Sequence, residues 1–211
     1  MKYGLLLLVL VGIACKSDKK YHSEDAYPVV ESKKVQDILD FQEKTNASFR
    51  DPETSPLPDR YRKDFKGLDF FDPDTTYVVQ AKLERTPEAI PFLMSTTTDE
   101  KRSEVVYGIA HFELNGAARK LEIYQSKEIP EEGLEDYLFL PFLDETNGNG
   151  TYGGGRYIDL TIPDGDSILI DFNKAYNPYC VYNKKYSCPL VPRQNYLRTN
   201  VRAGVKDFVK E

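Results

Sequence analysis

The chain has no tryptophan, two histidines, two methionines and three cysteines in 211 residues. Each scarcity removes a class of chemistry. His22 lies in a polar N-terminal stretch, so His111 is left to serve any imidazole mechanism, and neither a Ser-His-Asp relay nor a multi-histidine metal site has a basis. Cys180 and Cys188 have no histidine or further cysteine near them, whereas zinc wants four ligands at tight spacing, and they lack the Cys-x-x-Cys spacing of a redox pair. We therefore expect no metal and no cofactor. An excess of positive charge is missing as well: 28 basic residues stand against 34 acidic ones, a formal net charge of −6, which argues against a nucleic-acid partner. No apolar run approaches the roughly 20 residues of a permanent membrane helix.

What the N-terminus does have is an address. Lys2 precedes an apolar run from Leu5 to Ile13 that ends in Ala14-Cys15 and turns polar at once, the layout of a bacterial lipoprotein signal. Residues 1–15 read as the signal, with Cys15 as the lipidated first residue of the mature chain facing outside the cytoplasm. Gly12 departs from the branched residue usual three positions before the cysteine, which leaves ordinary cleavage with release to the periplasm or exterior as one alternative and an uncleaved membrane helix as another. Residues 16–30 are polar and aperiodic, the composition of a flexible tether. Residues 31–211 have the length and continuity of a single globular domain. In an exported chain, Cys180 and Cys188 are expected to pair, a small-loop disulfide contributing about 2.5 kcal/mol, with buried free thiols as the alternative.

Hydrophobic periodicity predicts a mainly β, α+β domain. One amphipathic helix runs from about Ser32 to Thr45, with Val35, Ile38, Leu39 and Gln42 on one face. Beyond Pro73 the period changes to two, beginning with Tyr77, Val79, Ala81 and Leu83. Strands at 92–96, 104–114, 117–125, 137–142, 157–162 and 167–172 follow, and Asn115-Gly116 marks a tight hairpin. A simple hairpin register puts Val106, Ala110, Phe112, Leu114, Leu121 and Ile123 on a core face, and His111 opposite Lys120 on the other. Many short antiparallel strands with one helix imply a curved sheet closed, or nearly closed, into a barrel or sandwich.

Polar and aromatic groups concentrate between residues 144 and 182. Gly148-Asn149-Gly150-Thr151-Tyr152-Gly153 spells the G-x-G-x-x-G pattern, but a strand, Arg156-Tyr157-Ile158-Asp159-Leu160, follows where a dinucleotide loop needs a helix N-terminus. A tight hairpin loop is the better reading. The blocks Leu140-Pro141-Phe142, Thr151-Tyr152-Gly153-Gly154-Gly155-Arg156-Tyr157, Asp171-Phe172-Asn173, Ala175-Tyr176-Asn177-Pro178-Tyr179-Cys180, Ser187-Cys188-Pro189 and Arg202-Ala203-Gly204 resemble the prokaryotic family catalogued as domain of unknown function 1684. The resemblance runs from the helix near Ser32 through the Pro-rich 55–59 crossing to Gly204, and Asn177-Pro178-Tyr179-Cys180 is its most distinctive part. It implies an exported or lipid-anchored protein of one compact domain with no assigned activity. Members usually continue past the final glycine with an acid and a lysine, where this chain has Val205-Lys206.

Strand ends are where sites are built, and the Ile168-Leu169-Ile170 run emits polar groups at its end. Tyr152, Arg156, Asp171, Asn173, Tyr176 and Tyr179 form the candidate site for a small molecule or peptide, with Arg156 reaching Asp171 or a ligand carboxylate. The competing reading is internal bracing, a buried Asp-Arg pair tying a loop to the sheet. An envelope hydrolase using two of Asp144, Asp159 and Asp171 is an alternative, and an assembly protein presenting the glycine-rich hairpin or a sheet edge is another. No residue set in the chain declares a reaction.

Overall fold

Alternation of apolar and polar residues builds an antiparallel sheet, and a computed structural model describes it over residues 29–128 and 132–208. The expected signal, Cys15 and most of the tether lie outside the described residues. Helix α1 (Val29–Arg50) begins inside the stretch read as tether and runs past the expected end at Thr45. Nothing breaks it until Asp51-Pro52, and its buried positions, Ile38 and Phe49, keep helical spacing, while Leu39 faces solvent. A short helix, α2 (Asp59–Arg62), follows the proline-rich crossing.

The strands are β1 (Val78–Arg85), β2 (Phe92–Ser95), β3 (Lys101–Leu114), β4 (Ala117–Ser126), β5 (Tyr137–Asp144), β6 (Arg156–Thr161), β7 (Ser167–Asp171) and β8 (Tyr196–Leu197). Their order is β6-β5-β4-β3-β1-β7, with β2 on β3 and β8 parallel to β5. The path ends at β6 and β7 without a ladder between them. Tyr157 of β6 instead exchanges two backbone hydrogen bonds with Tyr176, beyond the end of β7. The sheet is thus a curled, open half-barrel; the closed barrel is not formed, because the chain leaves the ladder at the turn over Phe172–Lys174.

Asn115 and Gly116 both take positive φ, 52° and 70°, as a two-residue hairpin of right-handed twist requires, and His111 sits opposite Lys120 as expected. The core face differs at one place. The register shifts between Val106 and Gly108, a bulge that turns Tyr107 into the core and leaves Val106 on the opposite face. Gly108 is what allows it, since a Cβ there would stand 2.7 Å from the Glu84 carbonyl oxygen.

Three apolar clusters result. The largest fills the concave side with Ala110, Phe112, Leu121, Ile123, Phe142 and Ile170, and is closed by Leu197, Val201 and Ala203 from the C-terminal segment. Met94, Tyr124, Phe139 and Tyr157 form a second. A third, Phe49, Leu57 and Tyr182, docks α1 on the 179–182 turn, with the Phe49 and Tyr182 rings edge to face at 4.8 Å.

The C-terminal segment has little regular structure, so its path depends on local fits. Gly204 has φ of 78°, and a Cβ would meet the carbonyl oxygens of Ala175 and Phe172 at 2.7 and 2.8 Å. Gly204→Ala is expected to destabilise the fold by about 2–4 kcal/mol in urea unfolding, whereas Gly165→Ala, where nothing lies within 4 Å, is close to neutral. Equal effects at the two positions would show that the segment yields freely.

Candidate functional site

The residues named from the sequence divide into braces and cavity walls. Arg156 and Asp144 have no exposed side-chain surface and pair at 2.9 Å. The same guanidinium donates to the carbonyls of Val201 at 2.9 Å and Val205 at 3.2 Å, and closely to that of Ala203. Asp144 Oδ1 accepts from the backbone N–H and hydroxyl of Thr146 and from the Val201 N–H. Burial disfavours the arginine's charge, and Asp144 opposes that effect. The partner of Arg156 is therefore Asp144, and the expected reach to Asp171 is not made.

Asp171 caps the turn after β7 by accepting from the Asn173 N–H at 3.0 Å, and its other oxygen faces Lys174 at 3.9 Å. Asn173 spans to the segment before β1, accepting from the Asp74 N–H and donating to its carbonyl. Both are bracing. Tyr152 packs its ring against Gly154, where a Cβ would come within 2.5 Å of it. The glycine-rich stretch is a closed turn, its Thr146 and Thr151 hydroxyls in contact at 2.8 Å and Asn147 donating to Thr151 Oγ1, and it leads into β6 with no helix behind it. A phosphate-facing helix N-terminus is absent from this stretch.

Asp159, Tyr176 and Tyr179 do converge. They line a cavity of about 360 Å³ in the gap between the second and third apolar clusters. Its walls come from α1 (Phe41, Thr45, Phe49), β3 (Arg102), β5 (Tyr137, Phe139), β6 (Tyr157, Asp159) and the 176–189 segment, nine aromatic rings among the described residues. Tyr157, Tyr182, Phe139 and Asn177 are buried and form its depth, whereas Asp159 and Tyr179 are exposed and mark its mouth.

Asp159 Oδ1 accepts two phenols, Tyr137 at 2.8 Å and Tyr176 at 2.5 Å. Burial, reinforced by Asp159, pushes both hydroxyls above the usual phenol range, so both stay protonated and donate. Tyr157 is held protonated by burial and donates to the Pro189 carbonyl, fixing the 186–189 wall against β6. Arg102 faces Glu104 across 3.5 Å; Glu104 is buried without a hydrogen-bond partner on either oxygen, and burial raises its pKa.

Cys188 lines the cavity as a thiol. The expected bridge to Cys180 is not formed; the Cys180 N–H donates to Cys188 Sγ at 3.1 Å instead. Burial pushes the Cys188 thiol up to about 12, which leaves it a poor nucleophile at neutral pH.

Of the three carboxylates weighed for acid–base work, Asp159 faces the cavity, Asp144 is sealed behind Arg156 and Asp171 is spent on a turn. The α1 residues, Arg102 and Tyr137 escaped the sequence reading. Tyr137 had one available signal, its period-two spacing with Phe139 on the same strand face.

The family of proteins of unknown function DUF1684 matches residues 63–206. The chain belongs to this family. The match takes in the Arg156–Asp144 brace and every cavity residue except those on α1, so it begins later than the expected start near Ser32. This DUF1684 chain is similar to an uncharacterized protein of Haloarcula marismortui whose solution NMR structure shares 34% identity over 84% of this chain and 96% of that one, with a TM-score of 0.65. No curated protein matches it.

Removing the Arg156 guanidinium leaves the Asp144 charge unpaired and takes the donor from Asp144 Oδ2 and three carbonyls. Arg156→Ala is expected to lower stability by about 3–5 kcal/mol in chemical denaturation. A variant as stable as the parent would show that the guanidinium is not a brace.

Proposed function

We propose that this DUF1684 protein is a ligand-binding component of the cell envelope, tethered to the membrane by a lipid on Cys15 and taking a small molecule into the aromatic cavity. One observation carries the binding reading: a concavity of about 360 Å³ lies within the usual range of ligand sites and combines nine rings with a few polar groups at its mouth and depth. A hydrolase of the two-carboxylate kind needs a second acid facing the first, and Asp159 has none among the described lining residues. Tyr176 and Tyr179 support the assignment of the 176–189 segment to the ligand; Arg156, Asp171 and Asn173 hold the 201–205 strip and the turn after β7.

The address rests on Lys2, the Leu5–Ile13 run and Ala14-Cys15. Each buried methylene of an attached acyl chain contributes about 0.8 kcal/mol, so several chains keep a protein on the membrane. Cys15→Ala is expected to move the protein from the membrane fraction to the soluble one in cell fractionation. Unchanged partitioning would overturn the anchor.

A ligand that binds the folded state raises its melting temperature by mass action. Low-molecular-mass extracts of the envelope are expected to raise the melting temperature of the full chain by a few degrees, about what a 2–3 kcal/mol linkage gives for a domain of this size. Thr45→Trp, which fills the cavity from α1, is expected to fold and lose the shift. No shift with any fraction, or an equal shift in Thr45→Trp, would overturn the cavity as the binding site.

A further inference from the structure

Two groups of the cavity keep an acceptor atom without a donor. Asp159 takes both phenols on Oδ1 and has no hydrogen bond on Oδ2 among the described residues. Asn177, fully buried in the cavity wall, donates its Nδ2 to the Lys206 carbonyl at 2.9 Å, and its Oδ1 has no hydrogen-bond partner. Asn177 thus belongs to the cavity's inner wall, and the acceptor left open at the mouth is Asp159 Oδ2.

Charge points the same way. The charged side chains lining the cavity are Arg102 and Asp159. Arg102 has its counter-charge in Glu104 at 3.5 Å, whereas Asp159 has no ion pair among the described residues and is held by neutral phenols alone. Tyrosine rings add the negative faces of their π systems, which attract cations within about 6 Å of the centroid.

Resting on the binding reading above, we propose that the ligand is a protonated amine carried on an apolar, ring-sized body, its ammonium on Asp159 Oδ2 at the mouth and its body among the rings. A neutral polyol would match the acceptors and leave the Asp159 charge uncompensated. A carboxylate or phosphate at Arg102 would lie beside the Glu104 carboxyl and be repelled by Asp159.

Three probes of one shape separate these cases: tyramine, the neutral alcohol tyrosol and the anion 3-(4-hydroxyphenyl)propionate, titrated calorimetrically into the full-length protein. Tyramine is expected to bind about tenfold or more tightly than tyrosol, with the anion weakest, as a charge-assisted contact predicts. Asp159→Asn keeps an acceptor for Tyr137 and Tyr176, so it is expected to melt with the parent and to erase the preference for tyramine over tyrosol. Equal binding of all three probes, or unchanged preference in Asp159→Asn, overturns the cationic ligand while leaving the cavity a binding site. Preference for the anion overturns it in favour of Arg102. Absence of binding by every probe overturns the amine class, and the extract experiment with Thr45→Trp then decides separately whether the cavity binds anything.

Discussion

The Arg156 guanidinium is the constraint on which the rest of the molecule depends. A buried guanidinium is tolerable only if most of its donors are matched, and here one carboxylate and three carbonyls take four hydrogen bonds from its two terminal nitrogens, leaving Nε without a partner. The three carbonyls belong to alternate residues, Val201, Ala203 and Val205, so one side chain from β6 holds an otherwise irregular C-terminal strip across the sheet. That strip closes the concave core through Val201 and Ala203, and its next carbonyl, that of Lys206, receives the Asn177 side chain. The brace therefore reaches the cavity wall without touching the cavity.

How much of this was legible in the sequence depends on whether a residue's role is periodic. The strands with one buried face, such as β1 with Ala81 and Leu83, could be read from alternation, and Asn115-Gly116 declared its hairpin through the φ it must adopt. The bulge at Tyr107 could not, because Val106 and Tyr107 are both apolar enough for either face and Gly108 signals only that something lies close. Residues 172–208 were least legible. Asn173, Asn177 and Asn195 organise that stretch by donating to or accepting from backbone groups far along the chain, Asn195 reaching Pro141 and Glu122, and such bonds leave no repeat in the sequence.

The candidate site was half legible for a related reason. Strand ends rich in Asp, Asn, Arg and Tyr are what a ligand site needs and also what an irregular strip needs to satisfy its backbone, so composition alone selects the region and not the role. Asp159, Tyr176 and Tyr179 line the cavity; Arg156, Asp171 and Asn173, drawn from the same stretch, tie it together. The opposite wall comes from Phe41, Thr45 and Phe49, more than a hundred residues earlier, and it meets the tyrosines where Phe49 packs on Tyr182 and Tyr179.

The two carboxylates on neighbouring strands show how the fold assigns roles. Asp144 and Asp159 stand on β5 and β6, which pair side by side. Asp144 has a guanidinium at 2.9 Å and three further donors, so its charge is neutralised, its lone pairs are filled and nothing remains for a ligand. Asp159 has two phenols, which orient one oxygen but bring no positive charge, and water reaches the other. Hydrogen bonds from neutral donors fix a carboxylate in place without neutralising it, which is the state in which it attracts a cation. A brace and a site thus differ here in the charge of the partner. On that ground the proposed site is placed at Asp159, and not at the arginine that dominates the interior.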